Sequence, residues 1–263
     1  MSILQSIFLG FIQGAAEFLP ISSSGHLTIF QSFMDIEVPL LYNILLHVAT
    51  LVPIIIIFRK IIGKMIVGVW NSISGKGGDS DKAYMRAFLV LLLATAVTVG
   101  LGFAIKEINI DRYPKIVACL FLVTALVLFL SKGRGKDRSY GSLNWKDGLF
   151  LGAAQGLATL SGISRSGMTI SASLFRGLDR KTAGEFSFLM SIPVILGAMI
   201  VDLGEGSELA AAASPAAIIA GMVSAFVFGF IALLILLKLI KGGKLHYFCF
   251  YLVPFAIISF ILV

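Results

Sequence analysis

Two short stretches of the chain hold residues whose types and spacing could do chemistry. The first contains Gln13, Glu17, three consecutive serines and His26, and the second is centred on Arg165. A hydroxyl beside a carboxylate and a histidine can act as a nucleophile with its base. The planar fork of an arginine binds phosphate oxygens through two parallel hydrogen bonds. These residue types predict chemistry on a phosphate.

The spacing in the first stretch predicts a helix, a break and a second helix. Gln13 and Glu17 are four residues apart, so one helix face directs both side chains to the same place. Pro20 ends that helix. The serines Ser22–Ser24 are good N-cap residues for a helix that begins near His26.

The second stretch repeats this arrangement. Ser164 and Ser166 precede Thr169 as the first serines precede their helix, and Gly25 and Gly167 follow the two serine pairs. Each loop would therefore direct the free N–H groups of a helix N-terminus at a shared cavity, which favours a phosphate. Helix capping alone would also explain the individual serines.

The composition indicates which elements position these residues. Hydrophobic residues make up 58% of the 263 residues and charged residues 13%, and the mean hydropathy is +0.98. A soluble domain has about 25% charged residues. A soluble protein, a disordered chain and a disulfide scaffold are therefore excluded, and an all-α polytopic membrane protein is predicted. The net charge of +7 is interpreted as basic loops rather than as a nucleic-acid surface.

Six apolar runs have spanning length. They cover residues 39–58, 86–105, 115–131, 182–201, 214–237 and 246–263. The loops 59–86, 132–146 and 238–244 are rich in Lys and Arg and are predicted to be cytoplasmic. The intervening loops carry Glu107, Glu205 and Glu208 and are less basic. These charges give the first and fourth runs opposite directions.

Two further apolar stretches, Ile7–Phe33 and Leu149–Phe175, are interrupted by Gly, Ser and Pro. At an offset of 142 residues they share ten identities over positions 8–27. We predict a single membrane domain with an inverted-topology repeat, residues 1–131 and 132–263. Each half would contain one re-entrant helical hairpin, about 7–33 or 149–175, and three of the six transmembrane helices. The alternative is two ordinary kinked helices.

Ionisable residues at membrane depth need an explanation, because each costs about 2.5–3.5 kcal/mol on insertion scales. Glu17, His26 and Arg165 stand among hydroxyls and glycines, and we assign them a functional role. His47 lies in a uniform apolar run and is interpreted as a satisfied core histidine. Glu185 is a candidate ion-pair partner for Arg176 or Arg180.

The segment from Gln13 to Leu27 resembles the first signature of the undecaprenyl-diphosphate phosphatase family, also called bacitracin-resistance proteins. The segment 162–169 is similar to the second signature, and 185–189 followed by Pro193 also resembles the family. Two positions depart from the pattern. Gln13 stands where Glu is frequent, which puts its part in metal binding in doubt, and Ser161 replaces a proline.

The resemblance implies hydrolysis of a polyprenyl diphosphate to the monophosphate and phosphate. This reaction recycles the lipid carrier for envelope glycan synthesis and confers bacitracin resistance. The implied catalytic residues are Glu17, Ser23, His26 and Arg165. The implied substrate-binding residues are Gln13, Ser22, Ser24, Gly25, Ser164, Ser166, Gly167 and Thr169. A divalent cation, Mg²⁺ or Ca²⁺, would be shared between Glu17 and the substrate phosphates.

Two questions stay open at this point. The nucleophile is His26, which we favour, or Ser23 activated by His26 or Glu17. The competing function is a transporter that moves a polyprenyl phosphate through the same cavity; a receptor or scaffold fits the polar residues poorly. The resemblance places the protein in the plasma membrane with the site open to the outer face. The expected partners are the lipid substrate, the bilayer and, as a candidate, a second copy of the chain.

Overall fold

The computed structural model describes residues 1–34, 38–106, 110–202, 209 and 213–263, and these residues form an all-helical bundle. Glu107, Glu205 and Glu208, which entered the topology argument, lie outside these ranges. The helices are α1 (Ile3–Phe18), α2 (Ser23–Phe33), α3 (Leu40–Ile73), α4 (Asp79–Lys106), α5 (Pro114–Leu130), α6 (Trp145–Leu157), α7 (Arg165–Phe175), α8 (Arg180–Asp202), α9 (Pro215–Lys241) and α10 (Cys249–Leu262). Short 3₁₀ helices cover Ile110–Arg112, Tyr140–Ser142 and Leu245–Phe248.

Five helical segments are long and apolar enough to cross a membrane. They are Leu40–Ile73, Asp79–Ile105, Arg180–Val201, Pro215–Lys241 and Leu245–Leu262. The sixth predicted span, α5, is an apolar helix of 17 residues. At 1.5 Å per residue it extends about 25 Å, slightly less than a hydrocarbon core of about 30 Å. The prediction of a multi-pass membrane protein is therefore confirmed.

The basic segment 59–86 is mostly helical, although we expected a loop. α3 continues to Ile73 and α4 begins at Asp79, which leaves only a short turn between them. Lysine and arginine are good helix formers, so the charges that end the apolar run do not end the helix. The basic residues correctly marked the end of the apolar run at residue 58, but they did not predict the end of the helix at Ile73.

Two pairs of short helices, α1–α2 and α6–α7, correspond to the interrupted stretches. They begin at Ile3 and Trp145, four residues before the predicted starts, and end at Phe33 and Phe175 as predicted. Both early starts have a capping box, in which Ser2 pairs with Gln5 and Asn144 pairs with Asp147. Such reciprocal caps satisfy free N–H groups and extend a helix beyond its apolar stretch.

Glycines allow α1 and α6 to pack in backbone contact with long helices. A Cβ on Gly10 or Gly14 of α1 would overlap carbonyl oxygens of α9, and a Cβ on Gly152 of α6 would lie 2.6 Å from Ala94 O of α4. Hydroxyls reinforce both contacts: Ser224 Oγ donates to Ile7 O at 2.8 Å, and Thr98 Oγ1 donates to Gly152 O at 3.1 Å. Small residues at such contacts are typical of membrane helix packing. This packing fixes the helix that carries Glu17.

A buried carboxylate joins the loop before α6 to the end of α7. Asp147, with no exposed surface, accepts hydrogen bonds from Arg138 Nη2 and Arg176 Nε, each at 2.7 Å. Burial raises the pKa of Asp147, but the hydrogen bonds from the two arginines outweigh it, and the net pKa lies below the usual value. The ion pair holds both arginines on the loop side of the bundle.

The expected ion pair of Glu185 with Arg176 or Arg180 is wrong. Arg176 binds Asp147, and Arg180 donates to Lys241 O at 3.3 Å. Glu185 instead accepts a hydrogen bond from the Tyr140 hydroxyl at 3.1 Å. Burial first, and then the nearby Glu185 carboxylate, raise the pKa of this hydroxyl. Arg176 forms its ion pair with the buried carboxylate of Asp147 instead. The spacing of these residues in the sequence could not show this preference.

Candidate active site

The tip of the first helix pair is a short break between α1 and α2. α1 ends at Phe18, as Pro20 predicts, and α2 begins at Ser23 with Ser22 as its N-cap, three residues earlier than expected. Ser22 has a φ of 71°, a left-handed conformation that is rare outside glycine, and its Oγ accepts from Gly25 N at 3.3 Å. Ser23 and Ser24 therefore lie in the first turn of α2 rather than before it.

The second tip is built in a similar way and is attached to α5. α7 begins at Arg165, and the N-cap Ser164 accepts from Gly167 N at 3.1 Å. Thr124 of α5 accepts from Ser164 N at 3.0 Å and donates to Gly162 O at 3.1 Å. Arg165 is thus the first residue of a helix whose start is held by the Ser164 cap and by Thr124 of α5. These contacts limit the positions that the Arg165 guanidinium can reach.

The two tips contact each other through glycines. A Cβ on Gly25 would lie 2.7 Å from both Cα and N of Gly162, and a Cβ on Gly167 would lie 3.2 Å from Pro20 Cβ. Gly162 N also donates to Ser22 Oγ at 3.2 Å. Gly25 and Gly167, which we predicted as substrate-binding residues, therefore bring the two loops together.

Glu17 is the point at which both helix pairs meet. Its side chain is 4% exposed. Oε2 accepts from Gln13 Nε2 at 2.9 Å and from Ser23 Oγ at 2.6 Å, and Oε1 forms an ion pair with Arg165 Nη2. A hydroxyl and a guanidinium thus share the Glu17 carboxylate, and the structure brings together three of the residues that the sequence analysis assigned to catalysis: Glu17, Ser23 and Arg165. Their burial strengthens each of these electrostatic contacts.

His47 is not the core histidine that we expected. Its Nδ1 is hydrogen-bonded to Asn43 O at 2.8 Å, and its Nε2 lies 3.4 Å from Glu17 Oε2. The side chain is 22% exposed and lines the cavity described below. Sequence reasoning missed this residue, although a polar pair at i, i+4 in an apolar run, Asn43 and His47, was a usable signal.

His26 lies away from the Glu17 cluster. Its Nδ1 is hydrogen-bonded to Ser22 O and its Nε2 to the Tyr251 hydroxyl, both at 2.8 Å. Its ring stacks on Phe255 with centroids 4.2 Å apart and packs edge-on against Phe121. Both ring nitrogens are therefore engaged, and the geometry gives His26 a role in fixing the Ser22 carbonyl.

Two adjoining cavities lie beside the cluster. The inner one has a volume of about 200 Å³ and the outer one about 650 Å³. They share Ser24, Ile44, His47 and Thr159. The site residues from the sequence that line the inner cavity are Glu17, Ser22, Ser23, Ser24, Ser164 and Arg165.

The other predicted binding residues lie behind this lining. Gln13 supports Glu17, and the Thr169 hydroxyl donates to Arg165 O at 2.8 Å and contacts the Ser187 hydroxyl. Ser166 Oγ lies 3.2 Å from Ser164 Oγ. These residues therefore position the lining groups and are separated from the cavity by them.

The oxygen donors beside Glu17 fit a hard divalent cation only in part. Among the residues that the structure describes, no three or more His, Cys, Asp or Glu side chains form a group that could hold a metal ion. Gln13, with no exposed surface, has an Oε1 atom that finds no hydrogen-bond partner within the described part of the chain. Carboxylate and amide oxygens suit Mg²⁺ and Ca²⁺. Glu17, which lines the inner cavity, would supply the protein's carboxylate in a coordination shell completed by substrate phosphates.

The arrangement suits phosphoryl transfer. Ser23 Oγ already donates to a carboxylate that can take its proton, and the start of α2 adds backbone N–H groups beside it. Arg165 donates to Glu17 through one terminal nitrogen, Nη2, and so its guanidinium carries further N–H groups for phosphate oxygens. A nucleophile, a base and a phosphate clamp are therefore assembled at one cavity.

Comparison with known proteins gives matches along nearly the whole chain. The family described as bacitracin resistance protein BacA matches residues 6–258. The undecaprenyl-diphosphatase of Treponema denticola is 46% identical over 255 residues, which are 97% of this chain and 95% of that protein. The undecaprenyl-diphosphatase of Methanosphaera stadtmanae is 37% identical over 100% of this chain and 98% of that protein. That of Carboxydothermus hydrogenoformans is 37% identical over 95% and 94%, respectively.

Proposed function

The chain belongs to the family of the bacitracin resistance protein BacA, and we propose from this premise that it is an undecaprenyl-diphosphatase. As a multi-pass membrane hydrolase, it converts the lipid diphosphate to the monophosphate and phosphate. The single observation that carries the assignment to these residues is the buried Ser23–Glu17–Arg165 cluster, drawn from both helix pairs. The transporter alternative receives no support from the relatives.

We propose that Ser23 attacks the terminal phosphorus. Its Oγ forms the new bond to phosphorus while its proton passes to Glu17 Oε2, 2.6 Å away. The bond between that phosphorus and the bridging oxygen breaks, and the prenyl monophosphate leaves with the bridging oxygen. Arg165 turns from Glu17 to the phosphate oxygens, which frees the carboxylate to act as a base.

A water molecule then completes the reaction. It attacks the phosphoserine phosphorus, the bond to Oγ breaks, Glu17 returns its proton to Oγ, and inorganic phosphate leaves with the hydrogens of the water. A divalent cation held by Glu17 and the phosphates would supply charge neutralisation. The Nε2 atom of His47 lies 3.4 Å from Glu17 Oε2, and the side chain lines both the inner and the outer cavity.

The finer topology is also a proposal. α5 would be the sixth crossing, and α1–α2 and α6–α7 would be re-entrant hairpins related by inversion. Equivalent contacts support this arrangement, because α1 packs on α9 of the other half and α6 packs on α4 of the other half. Asp111 and Arg112, from the less basic loop between α4 and α5, line the outer cavity, which favours opening to the outer face of the plasma membrane.

The test is phosphate release from undecaprenyl diphosphate by the purified protein in detergent with Mg²⁺ or Ca²⁺. The wild type is expected to release phosphate, and Ser23→Ala and Glu17→Gln are expected to lose at least about 100-fold in rate. An inactive wild type would overturn the proposed activity. Folded variants with full activity would overturn the site.

Mapping a trapped phospho-residue separates the two nucleophiles. We expect an acid-stable phosphate on Ser23. An acid-labile phosphate on His26 would instead support direct attack by the histidine, which would require its contact with Tyr251 to open.

A further inference from the structure

A second group of polar side chains lines the inner cavity, outside the motifs used so far. It consists of Thr98 from α4, Gln155 from α6 and Thr159 from the loop after α6, and we call it the Gln155 wall. It lines the cavity together with Glu17, Ser23 and Arg165. The mechanism above gives these three side chains no role.

Gln155 lacks the hydrogen bonds that a buried amide normally makes. It is 1% exposed, and its Nε2 donates to Thr98 Oγ1 at 3.3 Å and to Met190 O at 3.4 Å. Both distances exceed the usual range of about 2.7–3.2 Å. Its Oε1 has no partner within the described ranges. An amide oxygen accepts hydrogen bonds and cannot bind a phosphate oxygen, so the group available to a phosphate is Nε2, whose two N–H groups are held only by these long contacts.

The internal repeat shows what distinguishes this wall from the catalytic one. Gln155 occupies the position of Gln13, whose Nε2 donates to Glu17 at 2.9 Å. At the position of Glu17 the second repeat has Thr159. The Gln155 wall therefore carries an amide and two hydroxyls but no carboxylate, and so it has no negative charge that would repel a phosphate. Both hydroxyls already donate to backbone carbonyls, which leaves the amide N–H groups as the donors for a ligand.

Apolar residues complete this part of the cavity. Val194, Ile195 and Ala198 of α8 line the same space as Gln155. A phosphate that carries a hydrocarbon chain fits a polar wall bordered by apolar side chains. Inorganic phosphate would gain nothing from the apolar border.

We propose that the Gln155 wall binds the phosphate that remains on the prenyl chain, while Ser23 and Arg165 take the terminal phosphate. The proposal rests on the diphosphatase function given above. As the bond from the terminal phosphorus to the bridging oxygen breaks, negative charge grows on the prenyl phosphate. The Gln155 amide exchanges its long contacts for a hydrogen bond to this group, which favours its departure.

Product inhibition tests the assignment, because the two products occupy different halves of the site. Farnesyl monophosphate and inorganic phosphate are measured as inhibitors of the wild type and of Gln155→Met. We expect the inhibition constant of farnesyl monophosphate to rise about tenfold, as for one hydrogen bond to a charged group. The constant of inorganic phosphate should stay unchanged, which also shows that the variant is folded.

A matched pair of substitutions at Thr159, which is exposed, gives an independent test. Thr159→Glu and Thr159→Gln have nearly the same shape and differ in charge. Only Thr159→Glu is expected to raise the inhibition constant of farnesyl monophosphate by more than tenfold, because its carboxylate repels the phosphate. Unchanged inhibition by farnesyl monophosphate in both Gln155→Met and Thr159→Glu would overturn the proposal. A rise in the inhibition constant of inorganic phosphate that exceeds the rise for farnesyl monophosphate would also overturn it.

Calorimetric binding of farnesyl monophosphate to the same proteins separates this proposal from the proposed function. If the wild type released no phosphate, the diphosphatase function would fail. Weaker binding to Gln155→Met than to the wild type would still support the Gln155 wall, and equal binding would overturn it.

Discussion

Replacing Gly25 by alanine tests whether the contact between the two loops is needed for activity. The new Cβ would lie 2.7 Å from Gly162 Cα, Gly162 N and Phe121 Cζ, and ordinary contact begins at 3.4 Å. One loop must therefore move by about 0.7 Å, because two of the three atoms belong to backbone. Overpacking of this kind costs about 1–3 kcal/mol in stability.

The displacement acts directly on the catalytic geometry. Gly25 follows Ser23 in the first turn of α2, and Gly162 precedes Arg165 by three residues. Since a misplacement of about 1 Å costs on the order of 100-fold in rate, we expect phosphate release to fall by about that factor. Protein folded enough to purify should therefore have lost most of its activity.

A matched glycine-to-alanine change controls for helix propensity. Gly100 is helical, and a Cβ there would meet nothing within 4 Å. Gly100→Ala is expected to keep full activity and to unfold at the same or a slightly higher temperature. Phosphate release and thermal unfolding of both variants are measured in one detergent. Full activity of Gly25→Ala would refute the inference that the loops must touch at this point.

Three further substitutions have distinct outcomes. Arg165→Lys keeps the charge but loses the planar fork, so kcat/KM for the diphosphate should fall about 100-fold in the phosphate assay; an unchanged value would exclude a fork-dependent contact. Asp147→Asn should lower stability by about 2–3 kcal/mol at neutral pH, measured by thermal unfolding. The pKa of Asp147 is lower in the folded than in the unfolded protein, so the carboxylate stabilises the fold fully above the unfolded value of about 3.9. The stability difference between variant and wild type should shrink as the pH falls below that value and disappear only below the lower folded pKa. Tyr251→Phe removes one partner of His26 and should reduce the rate by less than about tenfold; a faster enzyme carrying phosphohistidine would show that His26 is the nucleophile.

The features that the sequence predicted correctly are local in the chain. All six apolar runs are helical because a run of about 20 apolar residues has few other structures available in a membrane. The break after Phe18 follows from Pro20, and the N-caps Ser22 and Ser164 follow from their side-chain chemistry. The sequence analysis directed the loops of Glu17 and Arg165 at one shared cavity because of the repeat and the cost of burying charge, and the structure joins the two side chains in an ion pair.

The features that the sequence did not reveal depend on contacts between distant segments. Tyr251, which binds His26, is 225 residues further along the chain. The polar cluster of the first loop gave no sign that the His26 ring would face aromatic residues of α10 rather than Glu17. His47 reaches Glu17 because α3 passes beside the end of α1. The polar pair Asn43 and His47 marks one face of that run, but it does not show which neighbour this face contacts.

The repeat separates residues that build the frame from residues that do the chemistry. The pairs shared by both halves include Ser22 with Ser164 and Gly25 with Gly167, and they cap helices or bring loops together. The chemical groups stand where the halves differ, with Ser23 opposite Arg165 and Glu17 opposite Thr159 in the repeat alignment. A symmetric frame would place two identical half-sites at one cavity, with two like charges facing each other. Divergence at these positions gives one half the nucleophile and base and the other half the cation, so the site functions only when the two halves meet.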